Sequence, residues 1–169
     1  MIFVAVGTQL AFDRLIHAVD QWAAARGRQD VFAQVGPTKS PPSHIAWKNF
    51  ITADEFRART AQADVVVAHA GMGTIIGALE LGKPIIVMPR KASVGEHRNE
   101  HQLATARRFL EQGRISVAFD EVELVQKLDA LDQLKPAGLI SNSASPELMA
   151  VIQAFIEGKR PVTGLGSSR

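Results

Sequence analysis

The sequence predicts an α/β fold: a doubly wound parallel sheet of about six strands, covered by helices on both faces. Three observations carry this. Short apolar runs alternate along the chain with segments of helical periodicity. Those runs are apolar throughout, as strands buried on both faces must be, and do not alternate apolar with polar. Glycines, prolines and capping residues stand at the junctions.

Each element follows in order. "IFVAV" (residues 2–6) is a first strand that stops at Gly7. Phe12, Leu15, Ile16, Val19, Trp22 and Ala23 then recur at helical spacing, and Gly27 closes that helix. "DVFAQVG" and "HIAWKNF" are short strands separated by the Pro/Ser loop "PTKSPPS". Thr52 to Glu55 reads T-x-x-E, a capping box that opens a helix from Ala53 to about Gln62. "DVVVAHAG" is a buried strand turning sharply at Gly71. Thr74 to Leu81 forms a short packed helix ended by Gly82, and Pro84 opens the strand "PIIVMP". Arg98 to Gln112 is helical, with Leu103, Ala106, Phe109 and Leu110 facing inward. "ISVAF" is a sixth strand, and Asp120 caps the helix after it. Leu148, Val151, Ile152 and Phe155 mark a last amphipathic helix, Glu147 to Glu157. Residues 1–157 thus read as one domain, and residues 158–169 as a flexible tail.

Composition narrows the function classes. The chain has 169 residues, 46% hydrophobic and 21% charged, ordinary for a globular protein. A net charge of +2 without a Lys/Arg run gives no nucleic-acid footprint. Without cysteine there can be no disulfide or thiolate metal site, which fits a reducing, cytoplasmic setting. The opening apolar run has no basic lead and reads as a strand, not a leader. No apolar stretch reaches the roughly 18–20 residues of a membrane span.

Ligands on parallel sheets bind beyond the carboxyl ends of the strands. Three stretches there carry chemistry. In "HAGMGT" a strand ends at His69, two glycines follow, and a helix starts at Thr74. Gly71 and Gly73 would let the backbone approach a ligand and adopt positive φ, and the helix start favours phosphate. His69 and Thr74 could add hydrogen bonds to phosphate oxygens. A ligand-free strand-to-helix turn explains the same spacing. "GTQLAFDRL" repeats the theme at Gly7 and Thr8, without the G-x-G-x-x-G of a dinucleotide fold. The third stretch, "GEHRNEHQ", contains H-x-x-E-H, a zinc-peptidase string. Such a site needs its imidazoles in mid-helix and a third protein ligand, whereas Gly95 places His97 at or before a helix start. The alternatives are a solvated helix start, or His101 and Gln102 aimed into the cleft to bind sugar hydroxyls.

Together "VGTQLAFDRLI", "ADVVVAHAGMGTIIGALELGKPIIVMPR" and "GEHRNEHQLATA" resemble the C-terminal, donor-binding domain of family-28 glycosyltransferases over roughly residues 1–119. The nearest likeness is to stand-alone versions. These are the small subunit of the two-part dolichol-linked N-acetylglucosaminyltransferase, and bacterial exopolysaccharide or capsule subunits that pair with a membrane-associated acceptor-binding partner.

The resemblance implies a Rossmann-like half of a GT-B transferase acting on a UDP-sugar. Gly7 and Thr8 match the loop facing the donor diphosphate. Phe50 and Ile51 match the stretch whose backbone receives the uracil. His69, Gly71, Gly73 and Thr74 match the diphosphate turn, and His101 and Gln102 the pair that holds the sugar. Many relatives bind ribose with a Glu where this chain has Gly77; Glu80, one turn on, could substitute. No metal or other cofactor is implied. The family usually supplies its catalytic base from the other half, so the chain is expected to be a subunit nearly inactive alone, peripheral at the inner membrane face through its partner. Glu96 and His97 are the local base candidates. A non-catalytic nucleotide-sugar-binding module is the alternative function.

Overall fold

A computed structural model of the chain describes residues 1–134. The predicted helix at 147–157 and the tail at 158–169 lie outside the described residues.

Six strands form one sheet: β1 (Ile2–Ala5), β2 (Val31–Gln34), β3 (Ala46–Lys48), β4 (Val65–His69), β5 (Ile85–Met88) and β6 (Ser116–Val117). Their order is β3-β2-β1-β4-β5-β6, and every pairing is parallel. The chain therefore winds outward from β1 in both directions, and the winding reverses between β1 and β4. Five helices cover the sheet: α1 (Asp13–Ala25), α2 (Ala53–Gln62), α3 (Met72–Glu80), α4 (His101–Glu111) and α5 (Glu121–Asp129).

The alternation of side chains along each strand divides the core in two. Ile2, Val4 and Val6 pack with Leu15, Ile16, Val19 and Trp22 of α1 and with Leu124 and Leu128 of α5. Phe3 and Ala5 point the other way, to Ile75, Ala78 and Leu79 of α3 and Ala106 of α4, with Phe56 of α2 packed alongside. Because both faces of β1, β2, β4 and β5 are buried, the runs are apolar apart from Gln34 and His69 at the carboxyl ends of β2 and β4.

The punctuation works as the residue types dictate. Glu55 N–H donates to Thr52 Oγ1 at 3.1 Å, and Glu123 N–H to Asp120 Oδ1 at 2.8 Å, so both caps form. Gly82 ends α3 at φ +63, where its N–H reaches Leu79 O and Lys83 N–H reaches Ala78 O.

Two helix starts differ from expectation. Helix α3 begins at Met72, two residues before Thr74, because Gly71 is still extended (φ −88°, ψ 128°) while its carbonyl already accepts from Ile75. Helix α4 begins at His101, not Arg98. The residues ahead of it are committed elsewhere: Gly95 is left-handed at φ 76°, and the Glu100 carboxylate turns back to the N–H groups of Ala92 and Ser93. Of the residues expected to face inward, Ala106 is buried and Leu110 is exposed at 42%, since it falls off the stripe facing the sheet.

Candidate functional site

The loops after β1, β4 and β5 enclose a cleft of about 880 Å³ at the carboxyl edge of the sheet, where the winding reverses. Eight of the predicted residues line it: Gly7, Thr8, His69, Gly71, Gly73, Thr74, His101 and Gln102. Phe50, Ile51 and Glu80 do not. Phe50 is exposed beyond β3 and Ile51 packs against the core beside Phe56. Glu80 is the last residue of α3, roughly 9 Å along the helix axis from Thr74. At Gly77 an added Cβ would meet nothing within 4 Å.

His69 is the best-defined group. Its Nδ1 lies 3.3 Å from the carbonyl oxygen of Ala5, which can only accept, so Nδ1 carries the proton. The ring fills the space between two glycines. A Cβ on Gly71 would stand 2.2 Å from Nε2, and one on Gly7 2.9 Å from Cε1. Gly7 is also left-handed, at φ +81, which suits glycine alone. Neither Gly71 nor Gly73 is at positive φ, so the expected hinge geometry is corrected: Gly71 is needed for space beside the imidazole, and Gly73 is ordinary helix. Burial lowers the His69 pKa to about 4, and the charges of Arg90 and His97 push the same way, outweighing the Ala5 hydrogen bond. The resting ring is therefore neutral, with a bare Nε2. That nitrogen can donate a hydrogen bond only after taking up a proton.

This shift makes stability depend on pH with a definite sign. The unfolded ring binds a proton near pH 6.5, the folded ring only near 4. The fold keeps its full stability above 6.5 and loses it as pH falls between these values. Acidification from pH 7 to 4.5 should remove about 2–3 kcal/mol through this residue. His69→Gln should show that much less loss in urea midpoints measured at the two pH values.

Unpaired backbone donors gather at the cleft. Among the described residues, the N–H groups of Thr8, Gln9 and Leu10 have no internal acceptor, and α3 begins with no side-chain cap. The N–H of Gly7 is occupied, 3.2 Å from Gln34 Oε1. Gln34 Nε2 in turn donates to Gly7 O and Asn49 O at 2.9 and 2.8 Å. The remaining lining side chains are neutral or basic, including His97, Arg98 and Arg90, with no carboxylate among them. Gln102 is buried, and its Oε1 accepts from Arg90 N–H at 3.2 Å, while its amide nitrogen has no partner among the described residues.

The two base candidates separate. Glu96 is gripped by Arg14 at 2.7 and 2.8 Å and by Lys91 N–H at 2.9 Å, outside the cleft lining. Burial alone would raise its pKa, but these bonds outweigh it and hold the carboxyl below the usual range. His97 does line the cleft, its ring edge-on to His101 at 4.4 Å. Among the described residues no group of three or more His, Cys, Asp or Glu could hold a metal ion. Glu100, the carboxylate of the H-x-x-E-H string, is spent on the Ala92 and Ser93 amides.

Sequence reasoning passed over Gln34 and Arg90. Each had a signal: a lone amide inside an apolar strand, and a cation directly after a buried strand and proline.

Residues 1–152 match the family model described as "Glycosyltransferase family 28 C-terminal domain". The chain belongs to this family. The family 28 domain is 30% identical over 125 residues to the human "UDP-N-acetylglucosamine transferase subunit ALG13", covering 68% of this chain and 10% of that protein. It thus spans about a tenth of that relative's length. An NMR solution structure of ALG13 shares the fold at TM-score 0.56 and 22% identity, over 80% of this chain and 87% of that one. The glycosyltransferase of kitacinnamycin matches at TM-score 0.54 and 21% identity, over 78% of this chain but 34% of its own. The family 28 domain is accordingly one Rossmann-like half of a GT-B architecture. Among the described residues no helix is long and apolar enough to cross a membrane.

Proposed function

We propose that this family 28 domain is the donor-binding subunit of a two-component glycosyltransferase. It would hold a UDP-sugar, from which the sugar passes to a lipid-linked acceptor in exopolysaccharide or capsule assembly. The observation that carries the reading is the convergence of two sets of unpaired N–H groups, at Thr8–Leu10 and at the start of α3, on one cleft without a carboxylate in its wall. Such donors are preorganised for the charge that builds on a departing diphosphate. The reading uses no metal or other cofactor. In this reading His101 and Gln102, both in the cleft wall, meet the sugar. Phe50 and Ile51 stand at the same sheet edge, where backbone could receive the uracil. Glu80 is too far along α3 to share the cleft unless ligand and helix shift together.

The base that activates the acceptor comes from a membrane-associated acceptor-binding partner in this scheme; of the two local candidates Glu96 is locked by Arg14, and His97 is the one that lines the cleft. The subunit acts at the inner membrane face through that partner.

Calorimetry against UDP, ADP, GDP and NAD tests the binding step, and UDP should bind best. Transferase activity should appear only on mixing with the acceptor-binding subunit. UDP binding with no activity in any such mixture would favour a non-catalytic nucleotide-sugar-binding module. Gly73→Val gives a sharper test. A Cβ there meets nothing within 4 Å, so the variant should melt within about 1 kcal/mol of wild type. Its side chain would project into the ligand's approach, so UDP binding should fall at least about tenfold, the scale of one lost charge-assisted hydrogen bond. Normal UDP binding by a folded Gly73→Val protein would remove the α3 turn from the site.

A further inference from the structure

Arg90 is 2% exposed, yet none of its hydrogen bonds goes to a carboxylate. A buried guanidinium ordinarily has an anionic partner, because desolvating an isolated cation is costly. Here the partners are four backbone carbonyls. Nη2 donates to Val6 O at 2.8 Å and Leu10 O at 2.7 Å, and Nη1 to Ala11 O and, at 3.4 Å, to Glu96 O. Its plane lies 4.7 Å from the ring centre of Phe12. Its own N–H is held by Gln102 of α4.

These bonds link parts of the chain about 80 residues apart and span the turn that carries Thr8, Gln9 and Leu10. The fork holds Val6 O at one end of the turn and Leu10 O and Ala11 O at the other, so it fixes the span within which the unpaired amides of Thr8, Gln9 and Leu10 stand at the cleft. The fork is planar and reaches several acceptors at once; an ammonium cannot reproduce that geometry.

We infer that Arg90 is a positioning residue, clamping the Gly7–Ala11 turn by its carbonyls so that the turn's amides are presented to an anionic ligand. It acts through the turn and need not touch the ligand. Its charge in the cleft wall, shared with the more distant carboxylates of Glu96 and Asp13, adds to the pull on a diphosphate. Burial lowers its pKa to about 10, partly offset by Glu96 and Asp13, so the charge persists at neutral pH. The inference rests on the UDP reading for the ligand's identity, but the clamp itself can be read without any ligand.

The experiment compares full-length wild type, Arg90→Lys and Arg90→Met. Amide hydrogen exchange is measured first. Both variants should exchange faster at Val6 and Gly7, whose N–H groups bond to Gln34, Arg90→Met by about tenfold or more, while β4 and β5 stay protected. UDP and uridine are then titrated. UDP affinity should fall about tenfold in Arg90→Met and less in Arg90→Lys, which keeps the charge, whereas uridine affinity should change less than about twofold. Wild-type exchange at Val6 and Gly7 in both variants overturns the clamp. Equal losses for UDP and uridine also overturn it, since a general loss of structure would not discriminate between them. If Arg90→Met fails to fold, Arg90→Lys alone decides by the same two readouts. If wild type binds no UDP, the functional proposal fails, and the exchange comparison still judges the clamp.

Discussion

Gly71→Ala should destabilise the protein by about 2–3 kcal/mol and abolish UDP binding, although one methyl group is a small change. The backbone at Gly71 (φ −88°, ψ 128°) is open to any residue, so no conformational strain enters. The cost is steric. The new Cβ would stand 2.2 Å from Nε2, 2.7 Å from Cε1 and 3.0 Å from Cδ2 of His69. The ring has little room to retreat, because Gly7 closes its other side and the Ala5 carbonyl holds Nδ1. A double-mutant cycle identifies the cause. In a His69→Ala background Gly71→Ala should cost less than about 0.5 kcal/mol in urea denaturation, and UDP binding should stay impaired. Equal costs in the two backgrounds would show that the ring is not what the methyl meets.

Asp20→Ala should destabilise the fold by about 2–4 kcal/mol, more than any neighbouring surface change. Asp20 is a buried carboxylate on α1. Its oxygens accept from the backbone N–H groups of Ser43, His44 and Ile45 at 3.1, 2.8 and 3.1 Å, and from the His44 ring at 3.0 Å. Alanine leaves those donors unmet and frees the segment that feeds β3. Asp20→Asn keeps one acceptor and should lose about half as much. Burial by itself would raise the carboxyl pKa, but the bonds from His44, Ser43 and Ile45 outweigh it and hold it low. The contribution is thus present above the unfolded carboxyl pKa near 4 and disappears as pH falls through the lower folded value. Below pH 4 the Asp20→Ala stability curve should be the flatter of the two.

The sheet and its helices were legible because their causes are local. A run such as "VVVA" is apolar at every position only when both faces are covered, and a T-x-x-E string caps a helix wherever it falls. Eight cleft residues were legible because glycine, histidine and threonine cluster where a parallel sheet binds ligands. What escaped depends on distance along the chain. Gln34 braces Gly7 across 27 residues, and Arg90 grips carbonyls about 80 residues away. No window of sequence contains both ends of such a bond. Phe50 was expected at the ligand edge because it follows a strand, and Glu80 by resemblance alone; neither lines the cleft. Helix α4 starts late because Glu100 bonds backward to the preceding turn, a choice no periodicity records.

The central place of β1 bears on how the protein is made. One edge of β1 finds β2 about 29 residues later, but the other waits for β4, whose partners lie 63 residues downstream. At ribosomal speeds of roughly 5–20 residues per second, that row of unpaired N–H and C=O groups stays open for seconds on the nascent chain. Chaperone demand should therefore concentrate in the interval before Val65 to His69 emerge. A pause in translation just ahead of that segment would lengthen the exposure, and one just after it would not.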